Sequence, residues 1–179
     1  MEALISQLQD IRSRARELVK GLSPEQLTQR PDPAKWSIAE CLAHLNNTAR
    51  GYFPSIDAAI QRGRAENTLG QGPFKPGPLG SLLKWIAEPP PKFRIRAPKS
   101  ILPLANIGNP NRVVAEFMQV QDEWERLLKA MNGLNLKKIK CVTPLATLPK
   151  LRLAAPIPWM LAHERRHLLQ AEKVRASLA

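Results

Sequence analysis

Two of the three histidines in this 179-residue chain stand four positions apart, in the segment His163-Glu164-Arg165-Arg166-His167. On an α-helix, residues at positions i and i+4 lie on one face, one turn apart, so two imidazoles at this spacing can bind one metal ion. Imidazole is the commonest side-chain ligand for transition metals and suits Zn, Ni, Cu and Fe. The spacing therefore predicts a metal site on the last helix of the sequence.

Two ligands hold an ion poorly, and the third histidine is His44. It lies at the edge of the apolar face of another predicted helix. We therefore predict a metal site made by His44, His163 and His167, with an open coordination position as in catalytic zinc sites. The alternative is that these histidines are hydrogen-bonded structural groups at the edge of a core.

Glu164 follows His163 and faces inward in the helical pattern. We predict it as a catalytic residue that holds a metal-bound water or orients a ligand histidine; the alternative is a carboxylate at the rim, paired with an arginine. The His-Glu-x-x-His spacing is also the metalloprotease signature. The extended form of that signature needs Gly and His where this chain has Gln170 and Lys173, so a protease is disfavoured.

Five further residues have predicted roles near the histidines or at the helix starts. Cys41 is either a fourth ligand or reactive thiol, or a buried small apolar residue. Asn47 and Thr48 are predicted to support the ligands or to form the polar floor of a pocket. Trp36 and Trp159 are predicted to be packing residues near two helix starts.

The composition favours helices. Apolar residues make up 44% of the chain and aromatic residues only 5%, so packing depends mainly on Leu, Ile, Val and Ala. The two cysteines form no CxxC motif, no signal peptide is visible and no apolar run approaches the length of a membrane span, so we expect a cytoplasmic protein without membrane contact.

Four long amphipathic segments predict an all-α four-helix bundle with one long crossover connection. The first predicted long helix ends at Gly21 and a short helix restarts at Ser23. The second begins near Ser37 and has a bend at Pro54, the third lies between Asn109 and Gly133, and the fourth covers about 156–177.

The connection at about 65–110 is rich in Pro and Gly. We predict that it is ordered, carries one short helix at Ser81–Ala87 and packs on the bundle. Residues 134–155 are predicted to be a second irregular connection, and the whole of 1–179 to be one domain.

Two stretches resemble the DinB-like (DinB/YfiT) superfamily. One runs from Leu22-Ser23-Pro24-Glu25-Gln26-Leu27 to Trp36-Ser37-Ile38-Ala39-Glu40-Cys41-Leu42-Ala43-His44-Leu45, and the other is His163-Glu164-Arg165-Arg166-His167-Leu168-Leu169-Gln170. The resemblance implies a four-helix bundle and a three-histidine site for a divalent ion, Zn or Ni above all. It also implies a homodimer, and its better-understood members are S-transferases and isomerases that use a low-molecular-weight thiol.

Three functions follow as hypotheses. The first is a metal-dependent enzyme for a small-molecule substrate, of the thiol S-transferase type, in which basic side chains of residues 65–110 bind the carboxylates of an acidic thiol. The second is a non-catalytic metal-binding or interaction protein. The third is a nucleic-acid binder; a net charge of +12 motivates it, but the basic residues are spread along the chain and disfavour it.

Overall fold

Six helices and one pair of short strands make up the regular structure of the described residues, which are 1–92, 101–103, 107–143 and 150–178 of this computed structural model. In chain order the elements are α1 (Glu2–Val19), α2 (Pro24–Thr28), α3 (Ile38–Ala65), α4 (Gly77–Ala87), α5 (Pro110–Ala130), β1 (Lys140–Cys141), β2 (Leu151–Arg152) and α6 (Pro156–Ala176). The four long helices predicted from the sequence are α1, α3, α5 and α6.

Side-chain caps fix where three helices begin. The side chains of Ser23 and Ser37 each accept a hydrogen bond from the backbone N–H three residues on. The side chains of Gln26 and Glu40 in turn accept one from the backbone N–H of the serine, so both predicted helix starts are confirmed as capping boxes. Asn109 accepts hydrogen bonds from the first backbone N–H groups of α5. These caps satisfy donors that a helix start otherwise leaves without partners.

The long helices form a four-membered ring in which α1 packs on α5 and α6, and α3 packs on the same two helices. Their apolar faces meet in one core, whose largest fully buried side chains include Trp124, Tyr52 and Phe117. The two helices that carry the histidines, α3 and α6, are therefore neighbours in this ring.

The structure corrects two predictions, on the short helix and on residues 134–155. The predicted short helix at Ser81–Ala87 is α4, which begins one turn earlier, at Gly77, because Pro78 suits the first turn of a helix. The second long helix runs through Pro54 to Ala65, in agreement with a connection that begins at about 65. Residues 134–155 are not wholly irregular, since Lys140 pairs with Arg152 and Cys141 with Leu151 in an antiparallel ladder.

Parts of the predicted connections lie outside the described residues, namely 93–100, 104–106 and 144–149. In the part of 65–110 that is described, α4 packs on α6 as the prediction of an ordered segment requires. Within the described residues, no helix has both the length and the apolar character needed to cross a membrane.

Close backbone approach and ion pairing hold α4 against α6. A Cβ atom at Gly80 would lie 2.6 Å from the Cβ of Ala155, at the start of α6. Arg165 pairs with Glu88 at 2.6 Å, and Arg166 donates to the carbonyl of Ile86 at 3.1 Å. Arg165 and Arg166 of the last helix therefore hold the crossover segment in place.

Gly80→Ala is expected to destabilise the protein, although alanine favours helices by about 1 kcal/mol over glycine. The added methyl group forces α4 away from Ala155, and overpacking of this kind costs about 1–3 kcal/mol. Urea unfolding measures the change, with the exposed neighbour Ser81→Ala as the matched control. A stability equal to or above that of the control would contradict the close packing.

Candidate metal centre

His44, His163 and His167 converge between α3 and α6. Each offers one ring nitrogen, and the three nitrogens lie within 4.8 Å of one another. The Nε2 atoms of His44 and His163 are 3.3 Å apart. The residues predicted from the sequence as one cluster are thus brought together by the fold.

A backbone carbonyl fixes the orientation of the His44 ring. The Nδ1 of His44 lies 2.7 Å from the carbonyl oxygen of Ile101, in the crossover segment. The Nδ1–H group must donate to this acceptor, so the lone pair of His44 is on Nε2, which faces His163. Next to this contact, the Asn47 side chain donates to the carbonyl of Leu102 at 3.1 Å.

The other two rings differ in how they are held. The Nδ1 of His167 lies 3.1 Å from the Oε1 of Gln170, which accepts its proton and leaves the lone pair on Nε2. The Nδ1 of His163 is buried and has no hydrogen-bond partner within the described residues. Since His44 presents a lone pair at Nε2, the 3.3 Å contact is a hydrogen bond donated by Nε2–H of His163, and this proton would have to leave Nε2 for the ring to bind a metal ion.

Two tryptophans pack on the histidine rings. Trp159 stacks on His163, with centroids 5.2 Å apart and an interplanar angle of 11°, and Trp36 stacks on His167 at 5.7 Å and 28°. Trp36 also lies 5.0 Å from the His44 ring. The predicted packing role of both tryptophans is confirmed, and the surface they pack on is the histidine cluster.

An ion pair secures the first turn of α3, just before His44. Glu40 is buried and accepts a hydrogen bond from the backbone N–H of Ser37 at 2.9 Å, and one from Nε of Arg30 at 2.8 Å. Burial alone would raise the pKa of Glu40, but the bonds from Arg30 and Ser37 outweigh it and hold the pKa below its usual range. The carboxylate therefore stays charged and fixes the position of the helix one turn before His44.

Burial keeps the three imidazoles neutral. Desolvation lowers the pKa of His44, lowers that of His163 strongly and lowers that of His167 to about 3. The neighbouring histidines and Arg166 lower the pKa values of His163 and His167 further. Neutral imidazole is the form that binds a metal ion.

The cluster fits a divalent transition metal. Two nitrogen ligands at about 2.0–2.1 Å from a tetrahedral zinc ion lie about 3.3–3.4 Å apart, which matches the 3.3 Å between His44 and His163. Two of the rings present an Nε2 lone pair, with Nδ1–H held by a carbonyl oxygen, as is usual for metal-ligating histidines. Three imidazoles leave room for a further ligand on a four-coordinate ion.

Glu164 points into the core and not into the cluster. It is fully buried, and its Oε1 accepts a hydrogen bond from the Gln121 side chain of α5 at 3.2 Å. Burial raises its pKa to about 7. Its predicted catalytic role stays a prediction, and the described residues show no hydrogen bond from Glu164 to a histidine.

Cys41 is fully buried, and burial raises the pKa of its thiol far above the usual value. These properties agree with the interpretation of a small apolar residue and oppose a reactive thiolate. Asn47 supports the crossover segment through Leu102, whereas Thr48 bonds only the carbonyl of His44, one turn back in its own helix.

Two residues that orient the histidine rings, Gln170 and Ile101, were not predicted as parts of the site. Gln170 stands three positions after His167, on the same helix face, so its spacing was an available signal. Ile101 acts through its backbone carbonyl, which every residue type has, so no signal in the sequence marks it.

Comparison with known proteins agrees with this geometry. The family model of the DinB superfamily matches residues 7–171. The Bacillus subtilis (strain 168) protein "Uncharacterized protein YuaE" is 26% identical over 166 residues, which cover 89% of this chain and 90% of that protein.

A solved structure gives the same fold. It is YfiT from Bacillus subtilis, described as "a probable metal-dependent hydrolase with an unusual four-helix bundle topology". The two structures superpose with a TM-score of 0.62 at 14% identity, over 99% of this chain and 86% of YfiT. The match confirms the predicted four-helix bundle, and with the family match it leads to one conclusion: this chain is a member of the DinB superfamily.

Proposed function

We propose that this protein is a metal-dependent enzyme that transfers a low-molecular-weight thiol to a small electrophilic substrate, with His44, His163 and His167 as the ligands of a divalent ion. The observation that carries the proposal is the convergence of three neutral imidazole nitrogens within 4.8 Å. A structural role for three core histidines does not require their ring nitrogens to face one another.

The metal would supply a strong nucleophile at neutral pH, because an ion with an open position lowers the pKa of a coordinated thiol or water. The protein's own side chains provide the setting. Trp36 and Trp159 exclude water from two of the rings, while Ile101 and Gln170 hold the ring orientations. His163 and His167 are half-buried as residues, whereas His44 is fully buried.

Hydrolysis is the second candidate, because YfiT is described as a probable metal-dependent hydrolase and has the same fold. In that case water replaces the thiol as the nucleophile at the same site. The third possibility is a non-catalytic protein that binds the metal ion with the same three histidines and catalyses no reaction.

Zinc or nickel is expected to raise the melting temperature of the metal-free protein. An ion at about 100 times its Kd stabilises the folded state by about 2.7 kcal/mol, which for a chain of this size corresponds to roughly 5–10 °C. His44→Gln, His163→Gln and His167→Gln should each remove most of this shift. Thermal denaturation with and without metal measures it.

The matched control for these variants is Ile56→Val, a fully buried position on the same helix as His44. It should lower the melting temperature in both conditions and keep the metal-dependent shift. A shift that survives in all three histidine variants would place the ion elsewhere and contradict the proposal.

Stability without metal should fall as the pH drops below about 6.5. Burial lowers the pKa of His167 in the folded protein from its ordinary 6.5 to about 3, so between these values the unfolded chain binds a proton that the folded chain does not. The neutral His167 ring contributes its full share to the free energy of unfolding above pH 6.5. This contribution falls on acidification, by up to about 1.4 kcal/mol per pH unit for one proton.

Urea unfolding in the presence of a chelator, from pH 7.5 down to 5, measures this slope. His167→Gln has no titrating ring at position 167 and should show a shallower dependence on pH. Equal slopes for the two proteins would mean that His167 is not held neutral in the folded state.

The metal-loaded protein is expected to consume thiol and electrophile together, and His44→Gln should lower this rate by at least about 100-fold. A screen of low-molecular-weight thiols against model electrophiles, followed by loss of free thiol, measures the activity. Hydrolysis without added thiol would favour the second candidate. Metal binding with neither activity would favour the third.

Glu164→Gln tests the predicted catalytic residue in the same assay. The amide preserves shape and can still bond Gln121, so metal binding should be retained. Loss of activity with metal retained would support a catalytic role, whereas full activity would reduce Glu164 to a core contact.

A further inference from the structure

A second polar site lies at the opposite end of α3 from the histidines. It is an open cavity with a volume of about 570 Å³, which we call the basic cavity. Its polar lining consists of Arg62, Glu66, Thr68, Lys138, Lys140 and Lys150. The helix between His44 and Arg62 is about 27 Å long at 1.5 Å per residue. The basic cavity is therefore separate from the candidate metal centre.

The charges of the basic cavity are not balanced. It has four cationic side chains and one carboxylate, and none of the four cations takes part in an ion pair within the described residues. Ion pairs elsewhere use most of the acidic side chains on the long helices, as between Arg12 and Asp122 or Arg126 and Asp57. The lining therefore has more positive than negative charge, and no ion pair among the described residues offsets it.

Two contacts of the strand pair involve cations of this lining, namely Arg62 and Lys140. Arg62 donates from Nη2 to the carbonyl of Lys140 at 2.6 Å, which joins the end of α3 to the strand pair. Lys140 stands directly opposite Arg152 in the antiparallel ladder, and like charges in this position repel each other. The strand pair therefore keeps a second positive charge, that of Arg152, next to Lys140, although Arg152 is not part of the lining.

The C-terminal dipole of α3 favours cations in its last turn, and this accounts for Arg62 and Arg64. It does not account for the three lysines, which come from the segment between α5 and α6. An anion explains all four cations, since Arg and Lys side chains are the usual partners of phosphate groups.

We propose that the basic cavity binds a small polyanion that carries phosphate groups. The size supports a small molecule, because ligand sites usually measure about 300–1,000 Å³. A double-stranded nucleic acid instead needs basic side chains spread along a long surface. The hydroxyl group of Thr68 adds a hydrogen-bonding group to the lining.

Isothermal titration of the full chain with inorganic tripolyphosphate at low ionic strength tests the proposal. The wild-type protein should bind one equivalent. The triple variant K138Q/K140Q/K150Q should bind about tenfold more weakly or worse, which corresponds to about 1.4 kcal/mol lost. All three lysines are exposed, so the variant should fold, and circular dichroism checks this.

The matched control is K35Q/K75Q/K173Q, which removes three exposed positive charges outside the basic cavity. It should keep nearly the wild-type affinity. Equal weakening in the two triple variants would mean binding by overall charge, and absence of binding to the wild type would also overturn the proposal. If the cavity variant is not folded, Lys150→Glu alone, compared with Lys35→Glu, gives the same test.

Duplex DNA titrated under the same conditions separates the two kinds of partner. The proposal expects tripolyphosphate to bind more tightly per site than the duplex. Tighter binding of the duplex, weakened equally by both triple variants, would replace a small-molecule site by a diffuse nucleic-acid surface.

Discussion

The approach of two imidazole nitrogens to 3.3 Å, one from α3 and one from α6, is the constraint on which the rest of the structure depends. Burial keeps these rings neutral, because desolvation disfavours the protonated form, and the fold must therefore keep them from water. Burial of polar groups costs free energy unless they are bonded. The carbonyl of Ile101 and the amide of Gln170 offset part of that cost, and the packing of the long helices supplies the remainder.

The parts of the site that follow from short sequence patterns could be predicted. The four-residue spacing of His163 and His167 is a property of any helix, and the serine caps of α2 and α3 follow from residues three positions apart. His44 was assigned as the third member because no other histidine remained and because of the family resemblance. Its contact with Ile101 depends on the path of a Pro-rich connection, and no periodicity describes such a path. The ladder of β1 and β2 has two residues in each strand, too few for an alternating pattern to show.

The two polar sites of the bundle lie at different positions along α3. The histidine cluster lies near the start of this helix and the basic cavity near its end, and the apolar core lies between them. The fully buried pair of Gln121 and Glu164 crosses that core from α5 to α6, two helices on opposite corners of the ring. A buried polar contact between opposite helices favours one register over others, because a shifted helix would leave both groups without partners.

The bond between His44 and Ile101 has a consequence for how such proteins diverge. Its acceptor is a main-chain oxygen, so other apolar residues that fit the buried position 101 can keep the bond, provided that the chain follows the same path. The connection can therefore change its residues, and also its length on either side of this point, while the ring orientation is preserved. Homologues with unrelated crossover sequences can share one imidazole geometry, and an alignment of side chains would give no sign of it.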